Sequence, residues 1–224
     1  MDKFGVILNE IEKRQYFYGK LHEQVKHKIS DYLHFSIDKL LNNTDAVVFG
    51  GAVRDSIANL DIHDVDILAL PRATQTIASQ LSVRGFIHLR MSNADIIKMY
   101  DGIKIINEPW TFVKGDTIVQ VIRPALGQFT DLRLKFKEIL ANVDISACGV
   151  AYRQGELFET FEDEDISPIK HCKEKVFVTL VDNIMHMSDR ISHRKAKLFD
   201  RGWKETIRPI PEPEHFEDDN DLPF

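Results

Sequence analysis

The stretch from Val47 to Leu68, VVFGGAVRDSIANLDIHDVDIL, constrains the fold of this chain more than any other. Ala46 to Phe49 is a short apolar run that ends at Gly50-Gly51, the pattern of a strand entering a turn. Val53 to Asn59 suits a short helix, and Val65 to Leu70 is a second apolar run, closed by Pro71. Asp64 and Asp66 stand two residues apart at its start. Alternate residues of a strand share a face, so the two carboxylates are expected to point at one spot. Like charges held that close repel unless a cation or a proton lies between them. A hard divalent cation such as Mg2+, or Mn2+, suits the pair, because it takes few protein carboxylates and fills its shell with water and phosphate oxygens. The glycine pair lets backbone N–H groups approach a polyphosphate, with a helix start behind it. Arg54 in the first helical turn adds a planar cationic fork. Together these parts describe a site for a nucleoside triphosphate and a metal ion, arranged for in-line attack at the α-phosphorus.

This unit resembles the signature of the DNA polymerase beta-like nucleotidyltransferases, and within them the head domain of class II CCA-adding enzymes and bacterial poly(A) polymerases. Their pattern is Gly-Gly-x-Val-Arg-Asp, a spacer, then Asp-x-Asp; here it reads Gly50-Gly51-Ala52-Val53-Arg54-Asp55 and Asp64-Val65-Asp66. The resemblance implies an α+β fold, a mixed/antiparallel twisted sheet flanked by helices. It implies that Asp64 and Asp66 bind metal and that Gly50, Gly51 and Arg54 bind the nucleotide. A weaker match runs from Asp144 to Tyr152, where the family has Arg-Arg-Asp-Phe-Thr-Ile-Asn-Ala-Met-Ala-Tyr. The arginine that precedes the Asp there is Val143 here, and the family's Asn is Ala147. The third catalytic carboxylate usually comes from a later strand of apolar-acid-apolar form. Val119-Gln120-Val121-Ile122-Arg123 resembles that strand with glutamine in the acidic place, and Asp144 is the candidate substitute. Without it, activation of the acceptor would rest on Asp64 and Asp66 alone.

The resemblance covers about residues 44–160, the head domain. Residues 1–43 read as an N-terminal helical segment, with Leu21, Val25, Ile29, Leu33, Ile37 and Leu40 at helical spacing. Thr74 to Val83 suits a helix capped by Thr74 or Thr76, and Leu132 to Leu140 another. Ile103 to Ile106 and Thr117 to Ile122 read as strands, with a turn at Gly115-Asp116. In the C-terminal appendage, 161–208, residues 176–200 are expected to form one long amphipathic helix faced by Phe177, Leu180, Ile184, Met187, Ile191 and Leu198. The neck motif that selects CTP or ATP in the family, Glu-Asp-x-x-Arg, is not evident, although Asp189-Arg190 and Arg194 lie on this helix. A compact head with added helices, as in phage-like nucleotidyltransferases, fits better than full tRNA CCA addition.

The formal net charge is −6, yet six of the 35 acids fall in residues 209–224, which hold no Lys or Arg. The other 29 acids balance the 29 bases, so overall acidity says nothing against nucleic acid as a partner. Residues 209–224, with four prolines and no periodicity, read as a disordered acidic tail. Its end, Asp218-Asp219-Asn220-Asp221-Leu222-Pro223-Phe224, resembles the tip of bacterial single-stranded DNA-binding proteins. That likeness implies docking on a DNA-maintenance protein that reads such tips. Two cysteines, Cys148 and Cys172, suit reduced buried thiols rather than a disulfide framework or a zinc site. No apolar run is long enough for a membrane span, and Met1-Asp2-Lys3-Phe4 lacks a signal-peptide layout, so a cytoplasmic location is expected. The expected activity is transfer of a nucleoside monophosphate from an NTP, such as ATP, to a hydroxyl, foremost an RNA or other nucleic-acid 3′ end, releasing pyrophosphate. The rival is a catalytically degenerate adaptor or inhibitor tethered by the tail.

Overall fold

The structure, a computed structural model, describes residues 19–89, 106–124, 143–160, 166–180 and 188–207. Residues 103–105 of the strand expected over 103–106, the helix at 132–140 and the tail at 209–224 lie outside the described residues. The chain is helical over 19–33 (α1) and Ile37–Leu41 (α2). There follow β1 (Ala46–Phe49), α3 (Gly51–Ile57), β2 (Val65–Ala69) and α4 (Pro71–Val83). Next come β3 (Ile87–Leu89), β4 (Ile106–Lys114) and β5 (Thr117–Pro124). A 3-10 turn at Ser146–Cys148 leads into β6 (Val150–Arg153) and β7 (Glu156–Glu159). The last elements are α5 (Pro168–Glu174), β8 (Val176–Phe177), α6 (Ser188–Asp200) and β9 (Lys204–Glu205).

Seven strands form one sheet in the order β3-β4-β5-β2-β1-β6-β7. Among the described strands of this sheet, β2 and β5 run parallel and the other neighbours antiparallel. This is the α+β, mixed-sheet fold expected of a nucleotidyltransferase head. Strict alternation along the strands sorts side chains onto two faces. Val48, Val65, Ile67, Val119, Val121, Val150 and Tyr152 point to one face, into a core completed by residues from Leu21 on α1 to Trp203 beyond α6. Val47, Leu68, Ile122 and Ala151 form a smaller buried cluster on the other, with Phe49, Leu70 and Phe158 against it. Asp66 belongs to this second face, since it pairs with Phe49 on one side and Gln120 on the other.

Several boundaries differ from expectation for identifiable reasons. The N-terminal helical run breaks at His34, which takes a left-handed backbone (φ 61°), and Ser36 then caps α2. All six apolar positions of the run stay buried across the break. Pro71 does not merely close β2; it opens α4 at its first turn, where a missing N–H costs nothing. Thr74 is therefore inside the helix, its hydroxyl donating to the Leu70 carbonyl at 3.0 Å. The long helix expected over 176–200 is helical only from Ser188 among the described residues. Lys175, left-handed at φ 53°, ends α5, and the β-branched run that follows is extended, with Val176–Phe177 paired to Lys204–Glu205.

Candidate active site

Antiparallel pairing of β1 with β2 sets the start of β2 beside the end of β1, with Phe49 opposite Asp66. Gly50 turns the chain into α3 with φ 66° and ψ −128°, a conformation essentially restricted to glycine. A Cβ placed on Gly51 would lie 3.7 Å from Arg54 Nη2 and 4.0 Å from Asp64 Oδ1. Gly51, Arg54 and Asp64 thus lie together at the start of α3.

The loop that delivers Asp64 is fixed through three of its carbonyls. Lys28 Nζ donates to Leu60 O at 3.1 Å, Tyr32 Oη to His63 O at 2.5 Å, and Arg201 Nη2 to Asp61 O. Tyr32 Oη also accepts from the Ile118 N–H of β5 at 2.9 Å, so one hydroxyl ties the loop to the sheet. None of these three side chains belongs to a motif, and only contacts spanning 31 residues or more reveal them.

Asp66 sits in β2 with its Oδ1 buried and without a hydrogen-bond partner. Burial, then the charge of Asp64, push its carboxyl up to about 7, against the opposing pull of Arg194 and Arg54. An orphaned oxygen in a pair of carboxylates that resist joint ionisation is the donor set a divalent cation satisfies. Asp64 and Asp66 therefore fit such an ion, with the remaining coordination left to water and phosphate. Among the described residues, no group of three or more His, Cys, Asp or Glu side chains gathers to hold a metal. Gln120 occupies the β5 position in register with Asp66, the place where the resemblance puts a third acid.

Arg54 is more engaged than a free phosphate fork. Its Nε and Nη2 donate to Asp55 Oδ1 and Oδ2 at 2.8 and 2.9 Å, and its Nη1 to Cys148 Sγ at 3.4 Å. Its guanidinium also lies 5.6 Å from the centre of the Trp203 ring. Asp55, 3% exposed, takes a third cationic bond from Arg201 Nη1 at 2.6 Å. Cys148 is half-buried rather than buried, while Cys172 is fully buried and donates to Ala147 O; both are free thiols.

Asp144 is 4% exposed and accepts from Arg194 Nη1 at 2.5 Å, while its Oδ2 is buried without a partner. The charges of Asp144 and Asp66 both strengthen the hold of Arg194 on its proton. Arg194 thus interacts with the charges of both Asp144 and Asp66. The sequence signals for it were its place with Asp189-Arg190 on the helix where the family's neck motif falls, and the ten Lys or Arg against five Asp or Glu over residues 170–208.

No family model matches the chain, and no curated protein does. Solved structures do. A CCA-adding enzyme in complex with CTP aligns at a TM-score of 0.54, with 18% identity over 84% of this chain and 43% of its own length. A tRNA-processing enzyme with CTP aligns at 0.50, with 17% identity over 72% of this chain and 40% of its own. At such identity the likeness is one of fold, and it is the nucleotidyltransferase head fold. The chain spans about 40% of the length of the structures it matches. No helix among the described residues is long and apolar enough to cross a membrane.

Proposed function

We propose that this chain is a metal-dependent nucleotidyltransferase that moves a nucleoside monophosphate from an NTP to a hydroxyl acceptor, foremost a nucleic-acid 3′ end, releasing pyrophosphate. The observation that carries the reading is the Asp64–Asp66 pair at the Gly50-Gly51 turn, with Asp66 Oδ1 orphaned and its carboxyl held near neutrality by burial and its neighbour. Asp64 and Asp66 would hold Mg2+ or Mn2+. When bound, that ion supplies charge neutralisation and lowers the pKa of an acceptor hydroxyl. The N–H groups of the first turn of α3 lack intrahelical acceptors and face an incoming triphosphate, and Gly51 leaves that approach open. Arg54, held flat by Asp55, adds fixed positive charge beside Gly51. Asp144, the candidate third carboxylate, is engaged by Arg194 Nη1 at 2.5 Å. The solved neighbours carry CTP, which agrees with an NTP substrate. The degenerate-adaptor reading has Gln120 in its favour, but the intact carboxylate pair weighs against it.

The test is incubation with each labelled NTP, Mg2+ or Mn2+, and a panel of RNA and DNA ends. Incorporation by the wild type, reduced about a thousandfold or more in Asp64→Ala/Asp66→Ala, is the expected result. Activity that persists in the double variant would overturn the site assignment.

A further inference from the structure

We propose that Arg194, delivered by α6, is the guanidinium that receives the triphosphate of the incoming nucleotide, and that Asp144 is the arm that aims it. The inference rests on the nucleotidyltransferase reading above and assigns a positioning role to Asp144 and a binding role to Arg194.

A triphosphate entering beside Asp64 and Asp66 brings several negative charges to a mouth already rich in carboxylate. Even with a divalent cation between them, the phosphate oxygens need cationic donors. Arg54 is poorly placed to be the main one. Its Nε, Nη1 and Nη2 all have protein acceptors, and its side chain is only 13% exposed. Arg194 differs in both respects. Its side chain is 40% exposed, and its hydrogen bond among the described residues is the single one from Nη1 to Asp144 Oδ1. A guanidinium carries five N–H donors, so one anchoring bond leaves a fork to present. Its anchor lies beside Arg54: Asp144 stands two residues before the Ser146–Cys148 turn, whose Cys148 Sγ accepts from Arg54 Nη1 at 3.4 Å.

The anchor is rigid. Asp144 is buried, its carbonyl accepts from the Leu180 N–H at 3.0 Å, and the next peptide bridges Ile145 to Thr179. At its far end α6 is tied down as well, because Arg201 just beyond it binds Asp55 at 2.6 Å. An arginine held at one nitrogen on a fixed helix loses little conformational freedom when it meets an anion. This arrangement explains why a buried carboxylate spends only one oxygen on its arginine.

The experiment is equilibrium binding of ATP, CTP, GTP and UTP with Mg2+, and of the corresponding nucleosides, to the full chain and to Arg194→Ala and Arg194→Lys. For the NTP that binds most tightly, the ratio of NTP to nucleoside affinity should fall about 10- to 100-fold in Arg194→Ala and recover in part in Arg194→Lys. Removing Arg194 alone leaves Asp144 buried and unpaired, so Arg194→Met/Asp144→Leu, which removes both charges, guards against misfolding. It should show the same loss of ratio. An unchanged ratio in folded variants, including equal weakening of NTP and nucleoside, would overturn the inference while leaving the nucleotidyltransferase reading in place. A wild type that binds no NTP would overturn both.

Discussion

The site has two halves that are built in different ways. One half, from Gly50 to Asp66, is a continuous strand-turn-helix-strand unit. Its partners are neighbours in sequence, such as Arg54 with Asp55, and Gly51 with Arg54 and Asp64. The other half is assembled by the fold. Asp144 and Arg194 are 50 residues apart, and Arg201 reaches Asp55 across 146. The local unit sets Asp66 by its place in β2 and Asp64 by the loop before it, which Lys28, Tyr32 and Arg201 hold through its carbonyls. The assembled half positions guanidinium groups through helix docking. On the proposed reading, the candidate metal ligands come from one continuous segment and the candidate phosphate contacts from elements brought together by packing.

Asp55 is where the halves meet, because its two oxygens serve Arg54 on one side and both Arg54 and Arg201 on the other. Asp55→Ala is expected to have the largest effect on stability, a loss of about 3–5 kcal/mol, since it strands two largely buried arginines. Chemical denaturation measures it. A loss below about 1 kcal/mol would mean the two halves are not joined there.

The next effect in size separates the halves by pH in metal-free protein. The Asp66 carboxyl titrates near 3.8 when unperturbed and is pushed up to about 7 in the fold. Between those values the folded chain carries a proton that the unfolded chain has lost, so this group's contribution to stability falls as pH rises through the window. The midpoint of thermal unfolding should therefore drop between about pH 4 and pH 7 by more in the wild type than in Asp66→Asn. Mg2+ should offset the loss, raising the midpoint more at pH 8 than at pH 5, because it competes with that proton. Equal slopes for wild type and Asp66→Asn would remove Asp66 as the source.

The same division explains what the sequence disclosed. β1, β2 and the glycine turn were legible because apolar runs, a glycine pair and acids at i and i+2 each carry a local geometric meaning. Even the β5 position opposite Asp66 was legible, since Val119-Gln120-Val121 has strand form, and Gln120 does fall in register with Asp66. β4, running from Ile106 through Pro109 to Lys114, was not, because its proline and polar residues hide a strand that β5 supports along its length. Lys28, Tyr32 and Arg201 gave no individual signal, and Arg194 only its place with Asp189-Arg190 on a helix whose neck-type pattern is incomplete. On a helix, an arginine that enters a site and one that faces water follow the same charge pattern, and only the tertiary partner distinguishes them.

The smallest effect compares the two glycines and bears on the local half alone. Gly50 adopts φ 66° and ψ −128°, so Gly50→Ala should cost about 1–3 kcal/mol through backbone strain, although no atom lies within 4 Å of the added carbon. Gly51 has ordinary helical geometry at the start of α3, and its added carbon would make only van der Waals contact with Arg54 Nη2 and Asp64 Oδ1. Gly51→Ala should then leave stability unchanged or raise it by up to about 1 kcal/mol, by restricting the unfolded chain. Yet that carbon would stand between the arginine and the aspartate, in the path by which a phosphate reaches the first-turn N–H groups. NTP affinity should fall in Gly51→Ala while its unfolding midpoint holds, a combination that a purely structural glycine does not produce. If Gly51→Ala binds NTP as tightly as the wild type, the triphosphate does not pass over the Gly51 backbone, and the arginines of the assembled half carry its binding alone.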